Sequence, residues 1–255
     1  MKIYVCFILL FLFAYVSVAE EFEPAVHTIA PALQPKTKSL NPEYLVFMKG
    51  VREGQTLPLL IFLHGGGGRG EDILRIKKKS GMSWHGIQKF NKGPCIVVTP
   101  QSRKNKKGGP GWVPEDLNVF LEHLKATLPV DTERIYLSGN SMGGYGSWAW
   151  GGCNPEHFAA IAPISGGLGP GGPKDISANL DAWAANLATV PVFAFAGALD
   201  KIVPADRSEL MVAAIRKAGG KTVKLLVHPE KGHNMGGMVL ASKEYYDWMF
   251  SKKRD

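Results

Sequence analysis

The chain has 255 residues, 45% of them apolar and 20% charged, which suits one large α/β domain or two small ones and excludes a wholly disordered chain. Its formal net charge is +8, with lysines grouped at Lys77, Lys78, Lys79 and at Lys104, Lys106, Lys107. No aromatic residues are interleaved with these groups and no nucleic-acid motif accompanies them, so they read as solvated faces and not as a nucleic-acid surface.

In chain order, the first element is a leader. MKIYVCFILLFLFAYVSVA has one lysine, a long apolar run, and Ser17 and Ala19 at the −3 and −1 positions of a signal-peptidase site. It predicts an export signal over 1–19, a secreted or periplasmic protein, and no stable membrane insertion after cleavage. The rival is an uncleaved anchor, because the run is nearly long enough to span a bilayer. Residues 20–43 are rich in Pro, Glu and Lys and predict a linker or loosely draped arm. One domain is expected over 44–255.

Apolar runs then recur: YLVFM (44–48), PLLIFLH (58–64), CIVVTP (95–100), RIYLSG (134–139), FAAIAPISG (158–166), PVFAFAG (191–197) and VKLLVHP (223–229). Several are almost wholly apolar, as strands of a parallel sheet covered on both faces must be. Between them, 115–128 places Leu117, Phe120, Leu121, Leu124 and Leu128 on one helical face, after Pro114. Residues 206–220 end on a glycine pair, a helix stop, and 242–253 predict a terminal helix. Strands alternating with helices predict an α/β fold with a mostly parallel sheet and helices on both faces.

The chemistry gathers at the carboxyl ends of the strands, where such sheets place their sites. GNSMGG (139–144) follows a predicted strand and precedes a predicted helix. Gly139 and Gly143 flank Ser141 as G-x-S-x-G, the pattern of a turn so sharp that only small residues fit two places before and after the serine. A serine hydroxyl is a poor nucleophile until a base takes its proton. Asp200 closes the strand run 191–197 and its following residues, and His233 follows the run 223–229, so Ser, Asp and His stand in the order this architecture requires. Asp206 and Asp181 open helices, His228 lies in a strand, and His123 and His157 lie on a helix and after a turn. Each of these has a structural explanation. HGGGG (64–68) follows another strand and supplies backbone donors for an oxyanion; Gly66 and Met142 are the expected pair. A phosphate loop would want Gly-Lys-Ser/Thr, whereas Gly70 is followed by Glu71 and Asp72, which repel phosphate. No metal or organic cofactor is expected.

With GNSMGGYGSW, HGGGGRGED, AGALDKIVPADRSELM and PEKGHN on one chain, the sequence resembles the α/β-hydrolase serine esterases. It is similar to the secreted phospholipase/carboxylesterase or "predicted peptidase" group, related to feruloyl and acetylxylan esterases and to dienelactone-hydrolase-like proteins. The resemblance covers about 44–250. It implies Ser141 as nucleophile, Asp200 as orienting acid and His233 as general base and acid. It departs from that pattern after His233, where Asn234, Met235, Gly236 and Gly237 follow, and in the basic, glycine-rich loop ending at Trp112. Trp112 and Asn234 are candidates for substrate contact, and no inserted lid helix is legible. Cys95 starts a strand and Cys153 ends the helix after the serine. Both are expected at the far end of the sheet, where export would permit a disulfide. The expected activity is hydrolysis of short-chain esters, including acetyl or feruloyl esters on polysaccharide. A serine peptidase is the alternative, and a non-catalytic polysaccharide- or envelope-binding protein is a more distant one.

Overall fold

A computed structural model describes residues 24–104, 111–169 and 175–254. The expected export signal lies outside the described residues, as do Lys106 and Lys107. Eight strands form one sheet: β1 (Ala25–Thr28), β2 (Leu40–Lys49), β3 (Leu57–Leu63), β4 (Cys95–Ser102), β5 (Val130–Asn140), β6 (Ala160–Ile164), β7 (Val192–Gly197) and β8 (Val223–His228). Their spatial order is β1-β2-β4-β3-β5-β6-β7-β8. β2 runs antiparallel to β1 and β4, and every pairing from β4 to β8 is parallel. Among the described residues the α-helices are α1 (Ile73–Phe90), α2 (Pro114–Thr127), α3 (Met142–Cys153), α4 (Leu180–Leu187), α5 (Asp206–Lys217), α6 (Met235–Leu240) and α7 (Lys243–Phe250). The chain has the expected α/β architecture.

All seven residues of β3 are buried. Their side chains alternate between two cores, as the strand pleat demands. Leu59, Ile61 and Leu63 join Phe120 and Leu121 of α2, Trp148 and Trp150 of α3 and Met211 of α5. Leu60 and Phe62 join Ile76 and Ile87 of α1, Met235 of α6 and Tyr245 of α7. Each fully buried leucine contributes about 2 kcal/mol, so both faces must be covered, and the helices cover them.

Three elements differ from the sequence expectation. The arm is not loose: Ala25–Thr28 pairs with 43–46 as an edge strand, and Ile29 is fully buried. Four residues are too few to show a period. α1 escaped notice because its apolar stripe is broken by Lys77, Lys78, Lys79 and Gly81, a poor helix former. Asp72 starts it by accepting from the Leu74 amide at 3.0 Å. The disulfide is corrected. Cys95 and Cys153 are both free. Cys95 packs in the core beside α1 and α7, whereas α3, which ends at Cys153, packs into the opposite core. The sheet stands between them.

Ser165, just past β6, has φ 47° and is 1% exposed, and its hydroxyl is buried without a hydrogen-bond partner. A left-handed backbone and an orphan hydroxyl both cost stability, and glycine removes both at some cost in unfolded-state entropy. Ser165→Gly is expected to raise the urea unfolding midpoint, with a net gain of about 1 kcal/mol. A fall in the midpoint would contradict this account.

Candidate active site

β5 delivers Ser141 at its carboxyl end, and the chain turns directly into α3. Ser141 takes φ 57° and ψ −115°, a strained turn for a residue with a side chain. The glycines explain how the turn closes. A Cβ at Gly139 would stand 2.5 Å from the Gly143 carbonyl oxygen, and one at Gly143 would strike the Leu63 carbonyl of β3. A Cβ at Gly144 would stand 2.6 Å from the Ile164 carbonyl oxygen of β6. The Ser141 amide donates to that same carbonyl at 2.8 Å, pinning the turn to the neighbouring strand.

The three residues predicted from sequence meet here. His233 Nε2 lies 2.8 Å from Ser141 Oγ, and His233 Nδ1 lies 2.8 Å from Asp200 Oδ2. The Asp200 side chain is wholly buried, and its other oxygen accepts from the Ile202 and Val203 amides, both at 2.9 Å. Those two bonds fix the carboxylate, so its second oxygen aims at the imidazole. Nδ1 therefore carries a proton toward Asp200, and Nε2 is free to take one from Ser141. His233 itself stays partly open to solvent.

The rival residues sit elsewhere. Asp206 is in the first turn of α5 and pairs with Arg207; Asp181 is in the first turn of α4. His123 is buried and bonds to the Tyr44 hydroxyl at 3.1 Å. His228 ends β8 and accepts from the Glu230 amide, and His157 lies 3.7 Å from Glu156.

The glycine loop lies against Ser141: a Cβ at Gly65 would be 3.6 Å from the Ser141 Cβ. Gly66–Gly68 forms a single 3₁₀ turn, so the Gly66 amide has no carbonyl behind it to bond. The first amides of α3, beginning with Met142, are unpaired for the same reason. Arg69 Nε lies 2.8 Å from the Met142 sulfur, which draws the loop and the elbow together.

Sequence reasoning missed His64 as a builder of this loop. Its Nε2 accepts from the Ser102 amide at 3.0 Å, which leaves the proton on Nδ1, donated to the Gly65 carbonyl at 2.7 Å. Gly68 packs on the ring face. The signal was available in the histidine that opens HGGGG. Trp112 is corrected. It is 3% exposed, donates to the His64 carbonyl at 3.3 Å and packs edgewise on the His64 ring, so it supports the loop from behind and offers no face to a substrate. Asn234 is exposed beside His233 at the start of α6, and its side chain caps nothing. Among the described residues, no cluster of three His, Cys, Asp or Glu could hold a metal ion.

This architecture defines an α/β hydrolase. A thermostable esterase structure matches 91% of this chain and 64% of its own at 24% identity, with TM-score 0.72. A ferulic acid esterase structure matches 90% and 99% at 20% identity, with TM-score 0.64. The chain belongs to the dienelactone hydrolase family, whose model matches residues 89–236 and takes in Ser141, Asp200 and His233. A Methylorubrum extorquens protein named as a carboxymethylenebutenolidase is 32% identical over 127 residues, 48% of this chain and 40% of its own length. The "Probable feruloyl esterase C" of Aspergillus terreus is 26% identical over 172 residues, 64% of this chain and 61% of its own. The match thus spans less than two thirds of either relative.

Burial lowers the His64 pKa from 6.5 to about 4, the nearby Arg69 charge acts the same way, and the Gly65 carbonyl opposes them. Below pH 6.5 the unfolded chain takes up a proton at this histidine while the folded chain does not. The contribution is therefore complete above pH 6.5 and is lost as pH falls toward 4, by about 3 kcal/mol at most. Imidazole NMR is expected to show His64 neutral down to about pH 4, with urea stability falling over the same window. Titration of His64 near 6.5 would refute it.

Proposed function

We propose that this protein is an exported serine hydrolase of carboxylic esters. The observation that carries the reading is the unbroken line from Ser141 Oγ through His233 to the buried Asp200, with both contacts at 2.8 Å. His233 Nε2 takes the Ser141 proton as Oγ attacks the ester carbonyl. The Met142 and Gly66 amides receive the resulting oxyanion. His233 then gives its proton to the departing alcohol oxygen, leaving an acyl-serine. Water, deprotonated by the same nitrogen, attacks that ester, and the acid leaves as Ser141 recovers its proton. Asp200 stabilises the imidazolium formed in each half and stays ionised. No cofactor takes part.

Family membership supports ester chemistry, and the fungal relative's name supports feruloyl esters as one substrate class. Described residues 165–169 and 175–179, between β6 and α4, form no helix, which favours short or polymer-attached esters over a lidded lipase. Leu199 and Ile202, each more than half exposed on either side of Asp200, offer apolar surface to such a group. The exposure of Asn234 beside His233 supports a substrate contact there. The leader pattern over 1–19 supports export, and no described helix is long and apolar enough to cross a membrane.

A chromogenic ester series from acetyl to dodecanoyl tests this reading. Turnover is expected to peak at acetyl or butyryl and to fall at least about a thousandfold in Ser141→Ala. Equal rates in the mutant would end the proposal. The oxyanion assignment has its own test. Gly65 is extended (φ −73°, ψ 173°), as a residue before proline should be, and a Cβ at Gly66 meets nothing within 4 Å. Gly66→Pro therefore deletes one N–H with little other disturbance and is expected to lower kcat about 100- to 1000-fold. Gly66→Ala, which keeps the donor, should stay within a few-fold of the parent. Equal kcat in the two variants would take Gly66 out of the oxyanion site.

A further inference from the structure

The five described tyrosines use their hydroxyls differently. Tyr44 bonds to His123, Tyr136 donates to the Lys252 carbonyl, and Tyr246 donates to the Leu240 carbonyl. Tyr245 is sealed inside the core. Tyr145 alone among them is half-buried with a hydroxyl that takes no hydrogen-bond partner. A polar group left open in this way, beside a nucleophile, is placed to meet a ligand.

Tyr145 lies one helical turn after Ser141, and its amide donates to the Ser141 carbonyl at 3.0 Å. Helical side chains lean toward the helix N-terminus, which here is the catalytic end. The tip of the phenol rests on Gly167, where any side chain would collide with it. That notch fixes the direction of the ring. Gly166 packs backbone to backbone on Gly144, so the loop after β6 cannot back away. The charges of Asp200, Asp175 and Arg207 all reach the phenol, which places it where the loops after β6 and β7 converge. Burial raises its pKa, the Arg207 charge opposes this and the two carboxylates add to it, so the phenol keeps its proton and acts as a donor.

The sheet order decides which half of the ester it meets. From Ser141 at the end of β5, the strand β3 and its glycine loop lie on one side, and β6, β7 and β8 lie on the other. The oxyanion belongs to the glycine-loop side. His233, which follows β8, protonates the leaving oxygen, so the alcohol departs on the side of Tyr145.

We propose that Tyr145 binds the alcohol half of the substrate, donating its hydroxyl proton to an oxygen of a polyhydroxylated leaving group. The preferred substrates are then acyl esters of sugars and not of simple alkanols. This assignment rests on the serine-esterase reading above and gives that site its alcohol specificity.

The test compares two acetyl esters that share one acyl-enzyme, a mono-acetylated methyl xyloside and ethyl acetate. Acid release by the full chain is followed by pH-stat for the parent, Tyr145→Phe and Ser141→Ala. The phenylalanine fills the same notch and lacks only the hydroxyl. The parent is expected to favour the xyloside in kcat/KM. Tyr145→Phe is expected to shrink that preference about five- to tenfold, the loss of one hydrogen bond, with the change carried by the xyloside. An unchanged ratio, or equal losses on both esters, would overturn the assignment while leaving the serine mechanism standing. Ser141→Ala turning over either ester at the parental rate would instead remove the mechanism on which the assignment rests.

Discussion

The site depends on one steric constraint, the approach of three backbones at the turn after β5. The carbonyls of Leu63 on β3 and Ile164 on β6 press on Gly143 and Gly144 from either side, and Gly139 presses on Gly143 from below. No side chain can enter this contact. With the helix start held between two neighbouring strands, Ser141 is forced to φ 57° and its Oγ is lifted toward His233. The strain is local, and the hydrophobic cores on both sides of the sheet maintain it.

The same constraint organises the glycine-loop side. The glycine loop can lie against Ser141 only if something replaces the packing that its missing side chains would have supplied. His64 and Trp112 do this from within. The imidazole joins the end of β4 to the loop through Ser102 and Gly65, and the indole backs the imidazole. A neutral imidazole is required, because a proton on Nε2 would abolish its bond to the Ser102 amide. Burial keeps it neutral. The Asp200 side is built by the opposite means. A charged group is buried, and two backbone amides with one imidazole satisfy it. The carboxyl end of the sheet therefore holds two histidines in different settings, separated by what surrounds them.

Much of this was legible in the chain. The strand runs, the amphipathic stripe of α2, the helix stop after α5, G-x-S-x-G and the order of Ser141, Asp200 and His233 are all local or ordered signals. α1 was not legible, because a lysine run and an interior glycine mask a helix whose Ile76 and Ile87 are nonetheless fully buried. β1 was not legible because its stability comes from pairing with β2 and not from its own four residues.

The sequence by itself determined the alternation of strand and helix, the strained serine and the identity of the two side chains that join it. Each of these is written in spacing along the chain, and backbone sterics read spacing directly. Only the tertiary structure decided on which face or in which cleft a side chain ends. Trp112, at the end of a loop beside the site, is carried beneath it. Of Cys95 and Cys153, both expected at the far end of the sheet, the first ends in one core and the second is exposed at the end of α3, on the opposite face. Tyr145, one turn after Ser141, has its hydroxyl left open by a glycine more than twenty residues later in the chain. These outcomes depend on contacts between distant segments, which form only when the whole sheet closes.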